Sequence, residues 1–237
     1  ALITDKTKAI IPVHFAGQPC DMDEIYEISN RYKLRIIEDA AHALPSHYKG
    51  NRIGNLKGTD VTCFSFYATK TLTTGEGGMA TTDNNKYAEN MAVNRLHGLS
   101  KDAWKRYDAK SSWHYDVIDN GFKYNTSDIN SAIGLVQLAK QDALQDNRLK
   151  IAEKYNNAFR DNEDIIIPFI KDDRDTSWHL YVIKIKERDK VFERLKELGV
   201  GCSLHFIPIH KHSFYKKKFN YNDADYPVAN KVFDESL

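Results

Sequence analysis

Cysteine is scarce in this chain of 237 residues: three thiols, Cys20, Cys63 and Cys202, scattered and odd in number. That excludes a disulfide framework as the source of stability and suits a reducing, cytoplasmic setting. Cys63 lies in an apolar run, where a buried thiol is the expectation. Charge of either sign is lacking in excess, with 34 Lys and Arg against 33 Asp and Glu. No basic surface therefore points to nucleic acid, and no acidic tail points to disorder. No apolar run is long enough to span a bilayer, so no membrane partner is expected. Low-complexity linkers and internal repeats are missing as well. The GxxxxGK[ST] nucleotide loop is also lacking, because Lys70 precedes the glycines of Gly75-Glu76-Gly77-Gly78 instead of following them.

What is present is an alternation of short apolar strands and amphipathic helices. Lys8 to Phe15, Leu34 to Ile37, Val61 to Phe66 and Gly78 to Thr82 read as strands. Asp21 starts a helix, with Glu24 completing a capping box and Met22, Ile25, Tyr26, Ile28 and Tyr32 on its apolar side. A strand-helix-strand crossover predicts parallel pairing. Helices are also expected over Asn84 to His97, Ser127 to Asp142 and Leu144 to Arg160. Between them, Leu99 to Gly121 is an irregular excursion rich in aromatics, including Trp104, Tyr107, Trp113 and Tyr115. After Pro168 the pattern becomes strand (Trp178 to Ile185), helix (Asp189 to Leu198), strand (Val200 to Phe206), as in a small α/β domain. The expected organisation is a large domain over 1–143, a connecting helix over 144–163 and a small C-terminal domain over 164–237.

The chemistry concentrates at two strand exits. One apolar strand ends in Phe64-Ser65-Phe66-Tyr67-Ala68-Thr69-Lys70, ahead of the glycine-rich turn. Another ends in Glu38-Asp39-Ala40-Ala41-His42-Ala43. Strand exits are where α/β active sites gather. A lysine amine and a carboxylate there suit a pyridoxal phosphate site, the amine anchoring the cofactor and the carboxylate holding the ring nitrogen protonated. Alternation along the strand points only one of Glu38 and Asp39 into such a site, and Asp39 would equally serve as a helix N-cap. His210-Lys211-His212 has strand spacing for two metal ligands, but no third ligand or cysteine pair accompanies it, so no metal is expected. The lysines at 211 and 216–218 suit a solvated face as well as a diphosphate contact.

At these residues the chain resembles the DegT/DnrJ/EryC1/StrS sugar aminotransferases, pyridoxal phosphate enzymes of fold type I. The matching segments run in order from Ile10–Gln18 through Glu38–Ala43, Phe64–Lys70 and Gly75–Met79 to Gly121–Asn125 and Asp128–Ala132. The resemblance implies a mainly parallel α/β large domain and a small C-terminal α/β domain. It selects Asp39 for the ring nitrogen, Lys70 for the covalent link, His42 for the ring hydroxyl and Ser65 for the phosphate. It also implies that Asn125 reaches the phosphate of a partner subunit in a homodimer, and that His205 approaches the sugar. The implied reaction transfers an amino group, usually from glutamate, to a keto group on a nucleotide-activated sugar. His97, Trp104-Arg106-Tyr107 and His205-Phe206-Ile207-Pro208 look closest to members acting at the sugar's 4-position. The dehydratase branch of the same fold is implied to carry histidine in place of the lysine, and Lys70 argues against it. A non-catalytic relative is the other alternative, against which Lys70 and Asp39 together weigh. Family members extend beyond both ends of this sequence, and the preceding segment supplies part of the phosphate cup and a ring that stacks on the cofactor.

Overall fold

The computed structural model describes residues 2–100 and 115–237, so Trp104, Arg106, Tyr107 and Trp113 lie outside the described residues. The chain forms two compact units. The first comprises Ala1–Arg148 and Ile170–His179, and the second comprises Leu149–Phe169 and Leu180–Leu237.

The first unit is built on a four-stranded sheet. Its strands are β1 (Ala9–Ile10), β2 (Arg35–Asp39), β5 (Val61–Ser65) and β6 (Gly78–Thr81), in the order β1-β2-β5-β6. The first three are parallel and β6 runs antiparallel to β5. Helix α1 (Met22–Tyr32) makes the crossover between β1 and β2, as the apolar periodicity predicts. Its N-terminus departs from the expected capping box. The Asp21 side chain makes no cap bond and instead binds Lys171 and Arg174, whose stronger charge-assisted bonds take the carboxylate.

Strand alternation divides the sheet. Ile36, Glu38, Thr62 and Phe64 turn toward the core, where Met22, Ile36, Ala40, Ala43, Tyr48, Ile53 and Leu56 cluster with Phe64 against them. Asp39 pairs in register with Cys63, and Ser65 with Gly78, so these residues share the opposite face. Cys63 is therefore exposed and not buried, contrary to the expectation from its apolar run.

Two short strands, β3 (His47–Tyr48) and β4 (Asn51–Arg52), form a small antiparallel sheet with β8 (Arg174–Asp175). Arg174 anchors that returning segment. Its side chain is 3% exposed, donates to the Pro19 carbonyl at 2.7 Å and to Asp21 and Asp173, and lies over the Tyr48 ring. Helices α2 (Asn85–Asn94) and α3 (Asp128–Ala139) start on capping residues. The Asn84 side chain accepts from the amides of Lys86 and Tyr87, and Ser127 accepts from that of Asn130. Helix α4 (Gln141–Phe159) carries the chain out of the first unit at Arg148.

The second unit contains a two-stranded sheet of β7 (Ile165–Ile166) and β9 (Lys184–Ile185), with helices α5 (Arg188–Glu197), α6 (Ser213–Phe219) and α7 (Pro227–Glu235). Buried Arg188 lies over Phe233 and donates to the Ser236 carbonyl, tying the start of α5 to the end of α7. The strand expected over Trp178 to Ile185 shrinks to its last two residues, and Trp178, at its expected start, has a left-handed backbone at φ +50° that no strand residue adopts. Val200 to Phe206 forms no strand, since apolar content without a pairing edge does not make a ladder. No described helix is long and apolar enough to cross a membrane.

Candidate active site

The site gathers where β2 and β5 end side by side. Beyond β5, the chain turns tightly: the Lys70 amide donates to the Tyr67 carbonyl, and the Phe66 peptide is held by Gly77 and Thr74. Gly78 is required where the returning strand passes, since a Cβ there would sit 2.8 Å from the Phe64 carbonyl oxygen. The result is a half-buried Lys70 side chain. Burial pushes its pKa below the ordinary lysine value, while the charge of Asp39 pulls it back up. Lys70 thus lies in the turn just past β5, the strand that pairs with β2, which Asp39 ends.

Asp39 is fixed by its backbone and its carboxylate together. Its amide donates to the Pro12 carbonyl, its carbonyl accepts from the His14 amide, and Oδ1 accepts from the Ala41 amide at 3.0 Å. That last bond is an Asx turn and not the helix N-cap allowed by the sequence, because residues 40–46 form turns and no helix starts there. Cys63 lies beside it and, though exposed, has its thiol pKa raised by the neighbouring atoms that partly desolvate it and by the Asp39 charge. Ser65 closes β5 on the same face, with Oγ accepting from the Tyr67 amide.

His42 has a defined tautomer. The Ala16 amide donates to its Nδ1 at 3.3 Å, so the ring proton resides on Nε2, which is then a donor. Ala16 holds a left-handed backbone at φ +58° to make that contact. Such strain costs about 1–3 kcal/mol and collects at functional sites.

Asn125 is placed by a different set of contacts. Residues 122–124 run extended along the end of α2, with Phe122 and Tyr124 amides donating to the Asn94 and Arg95 carbonyls and Lys123 bridging to Leu96. Gly98 permits this approach, because a Cβ there would overlap the Asp119 carbonyl. Asn125 accepts from Lys123 and lines an open cleft of about 1420 Å³ with Gly78, Thr81, Met91, Arg95 and Ser127. The structure thus brings Lys70, Asp39, His42 and Ser65 to the ends of β2 and β5 and puts Asn125 in this neighbouring cleft. His205 belongs to the second unit, where its ring packs on Phe206 at 4.1 Å. His210 is buried, bonded to Asn230 and stacked on Tyr226, and does not form the two-ligand strand face considered from the sequence.

Sequence reading missed three features. Glu38 is fully buried and bonded to His14 Nε2 at 2.8 Å, while His14 Nδ1 accepts from the Cys20 amide. Arg174 was not singled out, since a lone arginine in a charged segment carries no pattern. His179 lies 4.3 Å from the His42 ring, centroid to centroid. Its signal was the polar residue inside the apolar run Trp178-His179-Leu180-Tyr181.

A half-buried amine, a carboxylate, an Nε2–H imidazole and a hydroxyl at adjacent strand ends can hold a phosphorylated aromatic aldehyde with a basic ring nitrogen. This arrangement and the mostly parallel α/β fold define the class of protein. The chain belongs to the DegT/DnrJ/EryC1/StrS aminotransferase family, which matches it over residues 1–237. It is 50% identical over 241 residues to an uncharacterized protein of Methanocaldococcus jannaschii, covering 99% of this chain and 62% of that one. It is 45% identical over 244 residues to the spore coat polysaccharide biosynthesis protein SpsC of Bacillus subtilis, covering 100% and 62%. Spr1654 of Streptococcus pneumoniae in its PLP-form superposes with a TM-score of 0.87 at 30% identity, over 99% of this chain and 63% of that one. The chain therefore spans just under two thirds of the length of the relatives it matches.

Proposed function

We propose that the full-length protein is a pyridoxal-phosphate-dependent aminotransferase. It moves an amino group from glutamate to the 4-keto group of a nucleotide-activated sugar, as a cytoplasmic homodimer. The observation that carries this reading is the strand register that sets Asp39 at the end of β2 beside Cys63 and Ser65 of β5, with Lys70 in the turn just past that strand. Family membership supports amino transfer, and the resemblance to SpsC supports a sugar destined for polysaccharide. The resemblance at His97 and His205–Pro208 supports the 4-position. Three free cysteines suit a reducing compartment.

The residues present fit the cofactor. Lys70 would hold it covalently, the Asp39 carboxylate would keep a proton on the ring nitrogen, His42 Nε2–H would donate to the ring hydroxyl oxygen and Ser65 would donate to the phosphate. Bound there, pyridoxal phosphate supplies an aldehyde that captures amines and a ring that accepts the electrons left at the substrate carbon. With the cofactor in place, Lys70 would be the group that moves the proton at the donor's α-carbon, and burial, which lowers its pKa, favours the free amine that this role needs. In the second half-reaction Lys70 would supply a proton to the sugar carbon that gains nitrogen. Asn125 serves the partner's phosphate. Helix α3 supports the dimer, since Ile129, Leu135, Val136 and Leu138 are 54–75% exposed on it.

The test is full-length protein with pyridoxal phosphate, glutamate and a UDP-4-keto sugar, with products read by mass spectrometry. Formation of 2-oxoglutarate and an amino sugar nucleotide is expected. Loss of a sugar hydroxyl without gain of nitrogen would instead identify the dehydratase reaction.

A further inference from the structure

We infer that His179 is a positioning residue for the cofactor site, holding the His42 imidazole in the plane and tautomer that donate to the ring hydroxyl. This rests on the reading above and extends it to a residue that neither the family motifs nor the mechanism uses. The returning segment Ile170–His179 belongs to the same unit as β2 and grips His42 twice. Ser177 Oγ donates to the His42 carbonyl at 2.5 Å, fixing its backbone. The His179 ring packs on the His42 ring with centroids 4.3 Å apart and planes 40° from parallel, fixing its side chain. Phe15 lies on His42 as well, at 6.2 Å and 55°. The Ala16 amide meets Nδ1 at 3.3 Å. A ring so enclosed has lost rotation about its terminal torsion, and the remaining nitrogen has one direction in which to donate.

The backbone on both sides of this clamp is strained. Ala16, which supplies the amide, and Trp178, which precedes His179, are both left-handed non-glycine residues, at φ +58° and +50°. A tryptophan adopts that conformation rarely, and surroundings must over-determine it. Ser46 supports the arrangement from beneath, donating to the Gly17 carbonyl at 2.7 Å and accepting from the Ser177 amide at 3.0 Å. Both serines are fully buried, so the contact between segments 15–17, 42–46 and 176–179 is internal structure and not a surface accident.

The experiment titrates full-length apoprotein with pyridoxal phosphate and reads affinity. His179→Ala is expected to weaken binding about five- to tenfold, the cost of one misdirected hydrogen bond. His179→Phe, which keeps a ring against His42, is expected to stay within about twofold of wild type. In a His42→Ala background, His179→Ala is expected to cost no more than about twofold, because its effect passes through His42. An undiminished loss in that background, or a phenylalanine variant as weak as the alanine one, would overturn the inference. If wild-type protein takes up no pyridoxal phosphate, the proposed function fails and the positioning claim is judged separately. Imidazole nitrogen NMR of apoprotein then decides: a single Nε2–H form of His42 that becomes mixed in His179→Ala supports it, and an unchanged form overturns it.

Discussion

Glu38 and Asp39 are consecutive on β2, and their carboxylates serve opposite faces of the same sheet. Glu38 is fully buried against His14, with Oε2 and Nε2 2.8 Å apart, while Asp39 is half-buried on the face it shares with Cys63 and Ser65. The alternation of a strand separates the buried carboxylate from the one proposed for the cofactor by a single residue. The two substitutions should therefore fail differently.

Asp39→Asn should leave a folded protein with turnover reduced on the order of 10²-fold or more, because a neutral amide no longer holds the ring-nitrogen proton. Chemical denaturation would place its midpoint near wild type. Near-normal turnover would mean that another group holds that nitrogen.

Glu38→Ala should instead destabilise the protein by about 1–3 kcal/mol, since the Nε2 proton of buried His14 and the Thr59 hydroxyl lose their acceptor. Urea unfolding measures this directly. An unchanged midpoint would contradict the role given to the pair.

Arg174→Ala should cost about 2 kcal/mol through the bond to the buried Pro19 carbonyl, and should loosen the segment that carries Ser177 and His179. The acid limb of stability should also flatten. Hydrogen bonds from Lys171 and Arg174 hold Asp21 below the ordinary carboxylate pKa, and a bond from Arg174 does the same for Asp173. A lowered folded-state pKa gives stability that is fully present above the unfolded value, near 4, and is lost as pH falls through the folded value. Removing Arg174 removes part of that slope, which urea midpoints between about pH 5 and pH 2 would reveal.

Mixing Lys70→Ala subunits with Asn125→Ala subunits tests the shared site. In a dimer where Asn125 serves the partner's phosphate, one of the two heterodimer sites keeps both residues, so activity should rise above either parent. No gain, with subunit exchange established, would mean that Asn125 serves its own chain or no cofactor at all.

Much of this arrangement is legible in the sequence because it is local. The apolar strands at Leu34 and Val61, the crossover helix from Met22 and the caps at Asn84 and Ser127 all follow from patterns within a few residues. That Asp39 ends one strand and Lys70 follows the end of its neighbour was legible as two strand exits. What stayed hidden depends on contacts across long stretches of chain. Asp21 has the spacing of a capping box, yet Lys171 and Arg174, 150 residues or more away, take its carboxylate. Cys63 sits in an apolar run, but which side of the sheet is covered is decided by α1, and the thiol falls on the other side. Trp178 to Leu180 has a strand's composition and takes a left-handed turn instead, bringing His179 onto His42.

The central claim is that Lys70 is the residue holding the cofactor. The most direct measurement treats full-length protein loaded with pyridoxal phosphate with borohydride, then maps the reduced adduct by peptide mass spectrometry. The account predicts that a visible absorbance band is lost on reduction and that the adduct lies on Lys70. Lys70→Ala and Lys70→Arg should give no adduct and no turnover, since arginine stays protonated and forms no such link. An adduct on any other lysine, or normal turnover by Lys70→Ala, would contradict it.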